Sequence, residues 1–472
     1  MLNKILYALP EISLLIGIIH LLFLHLLSNE TPKVYTKTAR IWLLISLFFS
    51  ILFYNKSFNP TYFENTSYTL LFKCLIAFFS YIMLILSSSW FSVENKTGCR
   101  YLILVLSSII ISNLLLSTIN IVILMLGYTL LSYINYRLLD ISYDKYPSEV
   151  GPRYIGTSSI IIILMFLGFS YIFFYNNVMD YLEIKQLIAS SHNNFLLYIS
   201  IVLMVIPFLY SLGLAPFHLL AEDKVGKSIL PVSHYFALIT PFIFWAVIIK
   251  LNVMFISSYN DILSSAFKVI AIMSVIFGAT GANARINLHR IYAYGSMYHF
   301  GIIILLLSYF NIASNFNAFM YLLLYMLALN GIYAVFYNLK SHGDFFSSLT
   351  SLSGISQTKP YTTRAMLISI FSLIALPPFA GFLAEFGMIN ELLKEKSYTY
   401  LALVLFFFLV LAKSYLEIIK TAYFEQKIKK FDTENKSTLF ITLLSTILIV
   451  AISFNPFNII EKIKDMFDVI YL

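Results

Sequence analysis

The run Leu401-Ala402-Leu403-Val404-Leu405-Phe406-Phe407-Phe408-Leu409-Val410-Leu411 decides the fold class. It is continuously apolar, whereas a lipid-facing barrel strand would alternate with period two. Leu102–Leu116, although it contains Ser107, Ser108, Ser112 and Asn113, likewise shows no strict alternation. Working outward, the 472-residue chain is 60% hydrophobic and only 11% charged, with a mean hydropathy of +0.84. Soluble domains carry roughly a quarter charged residues. Hydrocarbon offers no partner to a backbone N–H or C=O, so a chain of this kind must span as helices. The fold class is therefore an all-α polytopic membrane protein. At ~20 residues per crossing, about fourteen transmembrane helices are expected, near 5–27, 41–58, 69–90, 101–117, 119–139, 155–175, 195–216, 230–250, 262–281, 290–309, 315–339, 363–392, 398–424 and 437–454.

Charge gives this reading an independent check. The net charge of +8 does not mark a nucleic-acid binder, because the basic residues sit singly in short loops and cluster only at Lys427, Lys429 and Lys430. Loops after odd-numbered helices, with their flanks, carry 20 Lys and Arg, against 8 after even-numbered helices and at both termini. The positive-inside rule then puts both termini on the outer side. A wrong helix count would have scrambled that bias. Cys74 and Cys99 form no CxxC, so neither a metal nor a disulfide framework is indicated. No cleavable leader is expected at the start of the chain, where the first apolar run is long enough to span. The tail 459–472 alternates as an amphipathic helix suited to an interface or a partner.

Three basic residues fall inside apolar spans. Lys73 and Lys268 lie near helix ends and read first as snorkelling side chains. Lys413 is mid-span, with Glu417 one turn on and on the same face. A structural ion pair and a proton-relay element are both open for that couple. Two spans are interrupted, the seventh at Gly213-Leu214-Ala215-Pro216-Phe217-His218 and the twelfth at Ala375-Leu376-Pro377-Pro378-Phe379-Ala380-Gly381-Phe382. Proline removes a donor and clashes with the preceding turn, and paired interruptions point to transporter-type repeats with a midplane pathway. Glu385 follows the second break inside the membrane, where an ionisable group is a functional candidate. His218 and His234 flank the first break, and either a proton wire or a hydrogen bond to a freed carbonyl suits them. His20, His25 and His299 read as packing or interface residues. Gly278-Ala-Thr-Gly281 has no βαβ unit around it and is no dinucleotide fingerprint.

These stretches resemble the antiporter-like membrane subunits of proton-pumping NADH:quinone oxidoreductase (respiratory complex I), the family called chain 2 in mitochondria and chain N in bacteria. The matching residues are Leu9-Pro10-Glu11-Ile12, Ala215-Pro-Phe-His218 with Pro231-Val232, Arg285-Ile-Asn-Leu-His-Arg-Ile-Tyr-Ala-Tyr294, Tyr321-Leu-Leu-Leu-Tyr325 through Gly331, and Leu376-Pro-Pro-Phe-Ala-Gly-Phe382. Chain 4 is the nearest rival, since Gly381-Phe-Leu-Ala-Glu-Phe386 echoes it. The resemblance implies three amino-terminal helices in 1–100, two inverted five-helix repeats in 101–250 and 262–424 (helices four to eight and nine to thirteen, with seven and twelve broken), and a last helix with its tail in 437–472. It also implies that the chain itself carries no cofactor, with FMN, iron–sulfur clusters and quinone in other subunits.

The charges that such a subunit carries along its axis are largely missing. The glutamate of helix five is replaced by Thr129, the lysine of helix seven falls on Ser211, and that of helix eight falls on or beside Pro241. On helix twelve the lysine becomes Glu385. The expected function is a core membrane-arm subunit supporting redox-driven proton translocation, by a rearranged route through Glu385, Lys413, Glu417, His218 and His234. A structural spacer and a subunit of a cation/proton antiporter are the alternatives. Expected partners are neighbouring antiporter-like and small hydrophobic membrane chains and lipid, with no nucleic acid. Scarce Gly and Pro with abundant Phe and Tyr suit AT-rich coding, which puts the mitochondrial inner membrane first and a bacterial plasma membrane second.

Overall fold

The computed structural model describes residues 8–27, 31–53, 62–91, 95–143, 150–190, 195–254, 260–341, 344–426, 431–432, 436–454, 460–461 and 464. In chain order the helices are α1 Leu9–Leu27, α2 Pro32–Leu52, α3 Ser67–Phe91, α4 Asn95–Ser117, α5 Ile121–Tyr143, α6 Val150–Asn176, α7 Tyr181–Ser190, α8 Phe195–Leu212, α9 His218–Gly226 and α10 Leu230–His234. A π-helical turn, Tyr235–Ile239, leads into α11 Thr240–Met254. There follow α12 Asn260–Asn283, α13 Leu288–Leu307, α14 Ile312–Phe336, the two-residue strands β1 Lys340–Ser341 and β2 Asp344–Phe345, α15 Ile355–Thr358, α16 Pro360–Leu373, α17 Ala380–Lys394, α18 Tyr398–Phe424 and α19 Lys436–Ser453.

Thirteen helices among the described residues are long and apolar enough to cross a membrane. The fourteenth expected span, 363–392, is present as α16 and α17, each too short to cross alone because the Pro377-Pro378 break divides them. Most of the tail expected to be amphipathic, 459–472, lies outside the described residues. Packing separates two units, the first built from α1–α8 and α11, the second from α9, α10 and α12–α19.

In the first unit the intramembrane charges are matched internally. Lys73 on α3 does not snorkel. Its ammonium is buried, 2.8 Å from the Glu11 carboxylate of α1, and donates to Asn65 Oδ1 at 2.9 Å. Ser117 at the end of α4 donates to the same amide oxygen. Lys250 on α11 donates to the carbonyls of Leu116 and Thr118 at 2.6 and 2.8 Å. A helix C-terminus leaves such carbonyls without intrahelical partners, and a cation there also meets the negative end of the helix dipole. Thr118–Asn120 breaks α4 from α5, with the Asn120 side chain accepting from the Val122 N–H and donating to Asp180.

In the second unit α13 and α14 are buried along nearly their whole length. Two irregular turns interrupt the spans where the prolines predict them. At the first, Gly213 has φ +71°, and a Cβ there would lie 2.6 Å from that of Ala221. The freed Ala215 N–H donates to Ser274 Oγ of α12 at 3.0 Å. At the second, the Leu376 N–H reaches the Phe371 carbonyl and the Gly381 N–H reaches Ser372 Oγ, both at 3.0 Å. A Cβ on Gly381 would overlap the Ser372 carbonyl oxygen.

Two stability predictions follow from this packing. Replacing Lys73 by Met leaves Glu11 buried without its cation and should cost about 3 kcal/mol. The double variant Glu11→Leu/Lys73→Met should recover most of that loss when thermal unfolding of the solubilised protein is followed. Gly381→Ala should destabilise by about 3 kcal/mol because its methyl group meets backbone. Gly156→Ala, which meets nothing within 4 Å, should be neutral or slightly stabilising in the same assay.

Candidate functional site

The polar interior of the second unit is organised by α13. His289, Tyr292, Ser296 and His299 recur at helical spacing on one buried face of that helix. The face opposes α14, which supplies Tyr321, Tyr325 and Tyr333, and it meets the start of α17, which supplies Glu385. The break before Ala380 lets α17 begin inside the membrane, so Glu385 enters this interior instead of lying on a continuous outward face.

At the centre is a three-residue chain. The Tyr321 hydroxyl donates to Glu385 Oε1 at 2.8 Å and lies 2.9 Å from His299 Nδ1. A phenol has one proton, so with that proton on Glu385 the imidazole must donate through Nδ1 and present Nε2 as an acceptor. No protein group meets that Nε2. His299, Tyr321, Tyr325, Ser372 and Glu385 line a cavity of about 20 Å³ in water-centre volume, room for about one water molecule. The Tyr325 ring lies 4.5 Å from the His299 ring, and its hydroxyl donates to Ser296 Oγ at 2.6 Å.

Towards α9 the polar groups continue. Tyr292 stacks on Tyr415 of α18 at 5.6 Å, and neither hydroxyl has a protein partner. His234 is fully buried, its ring stacked on Tyr333 at 4.6 Å and its side chain beside that of Asn330. His289 Nδ1 has no hydrogen bond to protein. Tyr333 OH lies 3.0 Å from Ser233 Oγ, which donates to the Val225 carbonyl. Buried polar atoms of native proteins are almost always satisfied by protein or ordered water. His289 Nδ1, His299 Nε2 and the Tyr292 and Tyr415 hydroxyls are the atoms of this stretch that protein leaves unpaired.

Both ends of this file are charged. At the α9 end Glu222 is buried and accepts from Arg285 at 2.7 Å, lies 3.3 Å from Arg290, and accepts from Tyr294 OH at 2.7 Å. The Tyr294 hydrogen bond and the nearby carboxylate raise the Arg285 guanidinium further above its ordinary value. Beside it Lys224, also between spans, is pushed down by burial to about 7. At the other end Glu391 is buried, accepts from Asn317 at 3.4 Å and sits 4.0 Å from Lys394.

The residues singled out in the sequence fare differently. Glu385 and His234 lie in the file. His218 is not brought into it: half-buried, it stacks on Phe277 at 5.0 Å with Nδ1 3.2 Å from the Pro216 carbonyl. Lys413 and Glu417 are not brought into the file: both are exposed on the outward face of α18, and neither belongs to an ion pair among the described residues. His299, read as packing, stands at the centre, and Tyr321, Glu222 and Lys224 join it. The signal for His299 was the spacing of polar residues along 289–299. Lys268 lies over the Tyr309 ring at 4.8 Å.

The first unit is different at the positions whose charge is lost. Thr129 is half-buried and donates to the Leu126 carbonyl of its own helix at 2.8 Å. Ser211 lies 2.9 Å from Tyr128 OH, which also donates to the Pro207 carbonyl. The Tyr128, Phe208 and Phe244 rings close around that hydroxyl with centroids 5.5–6.2 Å apart, and Pro241 is buried.

The family described as "NADH:quinone oxidoreductase/Mrp antiporter, TM" matches residues 118–412. The chain is 27% identical over 468 residues to NADH-quinone oxidoreductase subunit N of Pelagibacter ubique, covering 97% of this chain and 98% of that one. Its fold matches a chain of respiratory complex I from Thermus thermophilus with a TM-score of 0.80 at 19% identity, over 96% of this chain and 98% of that one. It also matches a chain of the Mrp complex from Dietzia sp. with a TM-score of 0.86 at 15% identity, over 99% and 98%. The chain belongs to the transmembrane family of NADH:quinone oxidoreductases and Mrp antiporters.

Proposed function

We propose that this chain is the antiporter-like membrane subunit N (chain 2) of a proton-pumping NADH:quinone oxidoreductase, and that its own proton route runs through the second unit alone. The Glu385–Tyr321–His299 chain beside a water-sized cavity carries this reading. A carboxylate, a phenol and an imidazole in series can each accept and release a proton, and a phenol can pass one without holding net charge. Protons enter from the inner side at Lys224, pass the polar stretch from His234 to Tyr415, load Glu385, and leave towards Glu391. Conformational work supplied by the redox subunits shifts the Glu385 end between the two sides.

The chain holds no redox centre in this reading. NADH, FMN, iron–sulfur clusters and quinone belong to other subunits, and its partners are the neighbouring antiporter-like and small hydrophobic chains together with lipid. Composition supports organelle coding and the mitochondrial inner membrane. The bacterial source of relatives such as that of Pelagibacter ubique supports a plasma membrane as the second reading. A second functional reading, a non-pumping spacer, is favoured by the aromatic closure around Tyr128 and Ser211.

The two functional readings separate in sealed vesicles driven by NADH, with proton uptake and NADH oxidation recorded together. Glu385→Gln, Tyr321→Phe and His299→Ala should each lower protons moved per NADH by a measurable step while the complex stays assembled. Unassisted NADH oxidation should fall about tenfold or more where the lost relay is rate-limiting. Ser211→Ala and Thr129→Val should leave both readouts within about twofold, because neither hydroxyl lies on the route. Unchanged proton yield in all three relay variants would leave the spacer reading standing.

A further inference from the structure

The outward face of α18 carries charge where a lipid-facing helix should carry none. Ala402, Phe406, Leu409, Lys413, Glu417, Lys420 and Phe424 are exposed at steps of three or four residues, and Leu403, Leu405 and Leu416 beside them are exposed too, so together they form one broad outward face of the helix. Lys413 is fifteen residues from Tyr398 and eleven from Phe424, which at ~1.5 Å per residue places it roughly 3 Å from the helix midpoint. The hydrocarbon half-thickness is ~15 Å, and a lysine stem reaches only about 6 Å, so with this span centred in the bilayer its ammonium falls short of the headgroups. Lys420 reaches them. Glu417 is one turn away, yet no ion pair joins it to Lys413. The stretch of α6 from Ile160 to Phe174 offers the contrast, since its exposed residues, Ile160, Ile163, Phe166, Leu167 and Phe174, are all apolar and suited to lipid.

We infer that the Lys413–Glu417 face of α18 is a docking seam for a transmembrane helix of a neighbouring subunit, one bearing a carboxylate opposite Lys413 and a lysine or arginine opposite Glu417. Lipid carries no charge at this depth, so the complementary groups must come from protein. Burying the seam pairs both charges and covers Phe406, Leu409 and Leu416 at once. This inference does not depend on whether the second unit conducts protons.

The test uses the assembled complex in its native membrane. A photo-crosslinking amino acid at Leu409 or Leu416 should yield an adduct with another membrane polypeptide of the complex. Adducts with lipid only, or with a second copy of this chain, would overturn the proposal. Lys413→Leu provides a second readout, because the two possibilities predict opposite signs. If the face met lipid, removing the charge would leave recovery in the complex unchanged or improved, which would overturn the docking seam. If it meets a partner carboxylate, the recovered chain should fall roughly fivefold while Lys413→Arg stays within about twofold, since loss of one member of a buried pair strands the other.

Discussion

A backbone amide inside a bilayer must find its partner within the protein, and every irregular feature of this chain is arranged around that demand. Where a proline breaks a helix, a serine on the neighbouring segment takes the freed N–H. Ser274 serves Ala215 at the first break, and Ser372 serves Gly381 at the second. Where α4 ends beneath the surface, the Lys250 ammonium takes the carbonyls of Leu116 and Thr118. Once these local needs are met, the breaks become useful. They allow a helix to start at membrane depth and to turn a carboxylate such as Glu385 inwards, where an unbroken helix would have passed its side chain by.

Against that background the charges divide into two kinds. Some are fully committed to protein partners: Glu11 with Lys73, and Glu222 with two arginines and a tyrosine. Others keep a buried polar atom without a protein hydrogen bond: Nε2 of His299 and the phenols of Tyr292 and Tyr415. The first kind fixes helices in register. The second kind keeps part of the interior polar. The same composition thus supplies both a rigid frame and a polar file, and the difference lies in whether a side chain's partners come from the chain itself.

The span pattern was legible in the sequence because apolar length and charge bias are read one residue at a time. Even the two breaks were visible in Pro216 and in Pro377-Pro378. The interior network was harder. Glu385 stood out as an unaccompanied carboxylate in an apolar run, but its partners come from α13 and α14, and no spacing within α17 announces them. His299 was hidden for the same reason, although 289, 292, 296 and 299 share a face. Lys413 and Glu417 show the opposite failure: periodicity placed them correctly on one face of α18, but it could not say whether that face points inwards or outwards. Lys73 looked like a snorkelling side chain until Glu11, sixty-two positions earlier in the chain, supplied its partner.

The lining around Glu385 also bears on ion selectivity. Hard cations such as sodium shed their water only into a cage of several oxygen ligands. Here the cavity presents one carboxylate, two phenols, the Ser372 hydroxyl and an imidazole around room for about one water molecule, and among the described residues no cluster of three His, Cys, Asp or Glu forms. At the α9 end two arginines outweigh a single glutamate, so a hydrated metal cation approaching there meets a repulsive field. A proton needs neither cage nor passage as a particle, since it is handed from oxygen to nitrogen along existing hydrogen bonds. On the proposed route through Glu385, transfer would need only hydrogen bonds of the kind that join Glu385 to Tyr321, and no coordination shell.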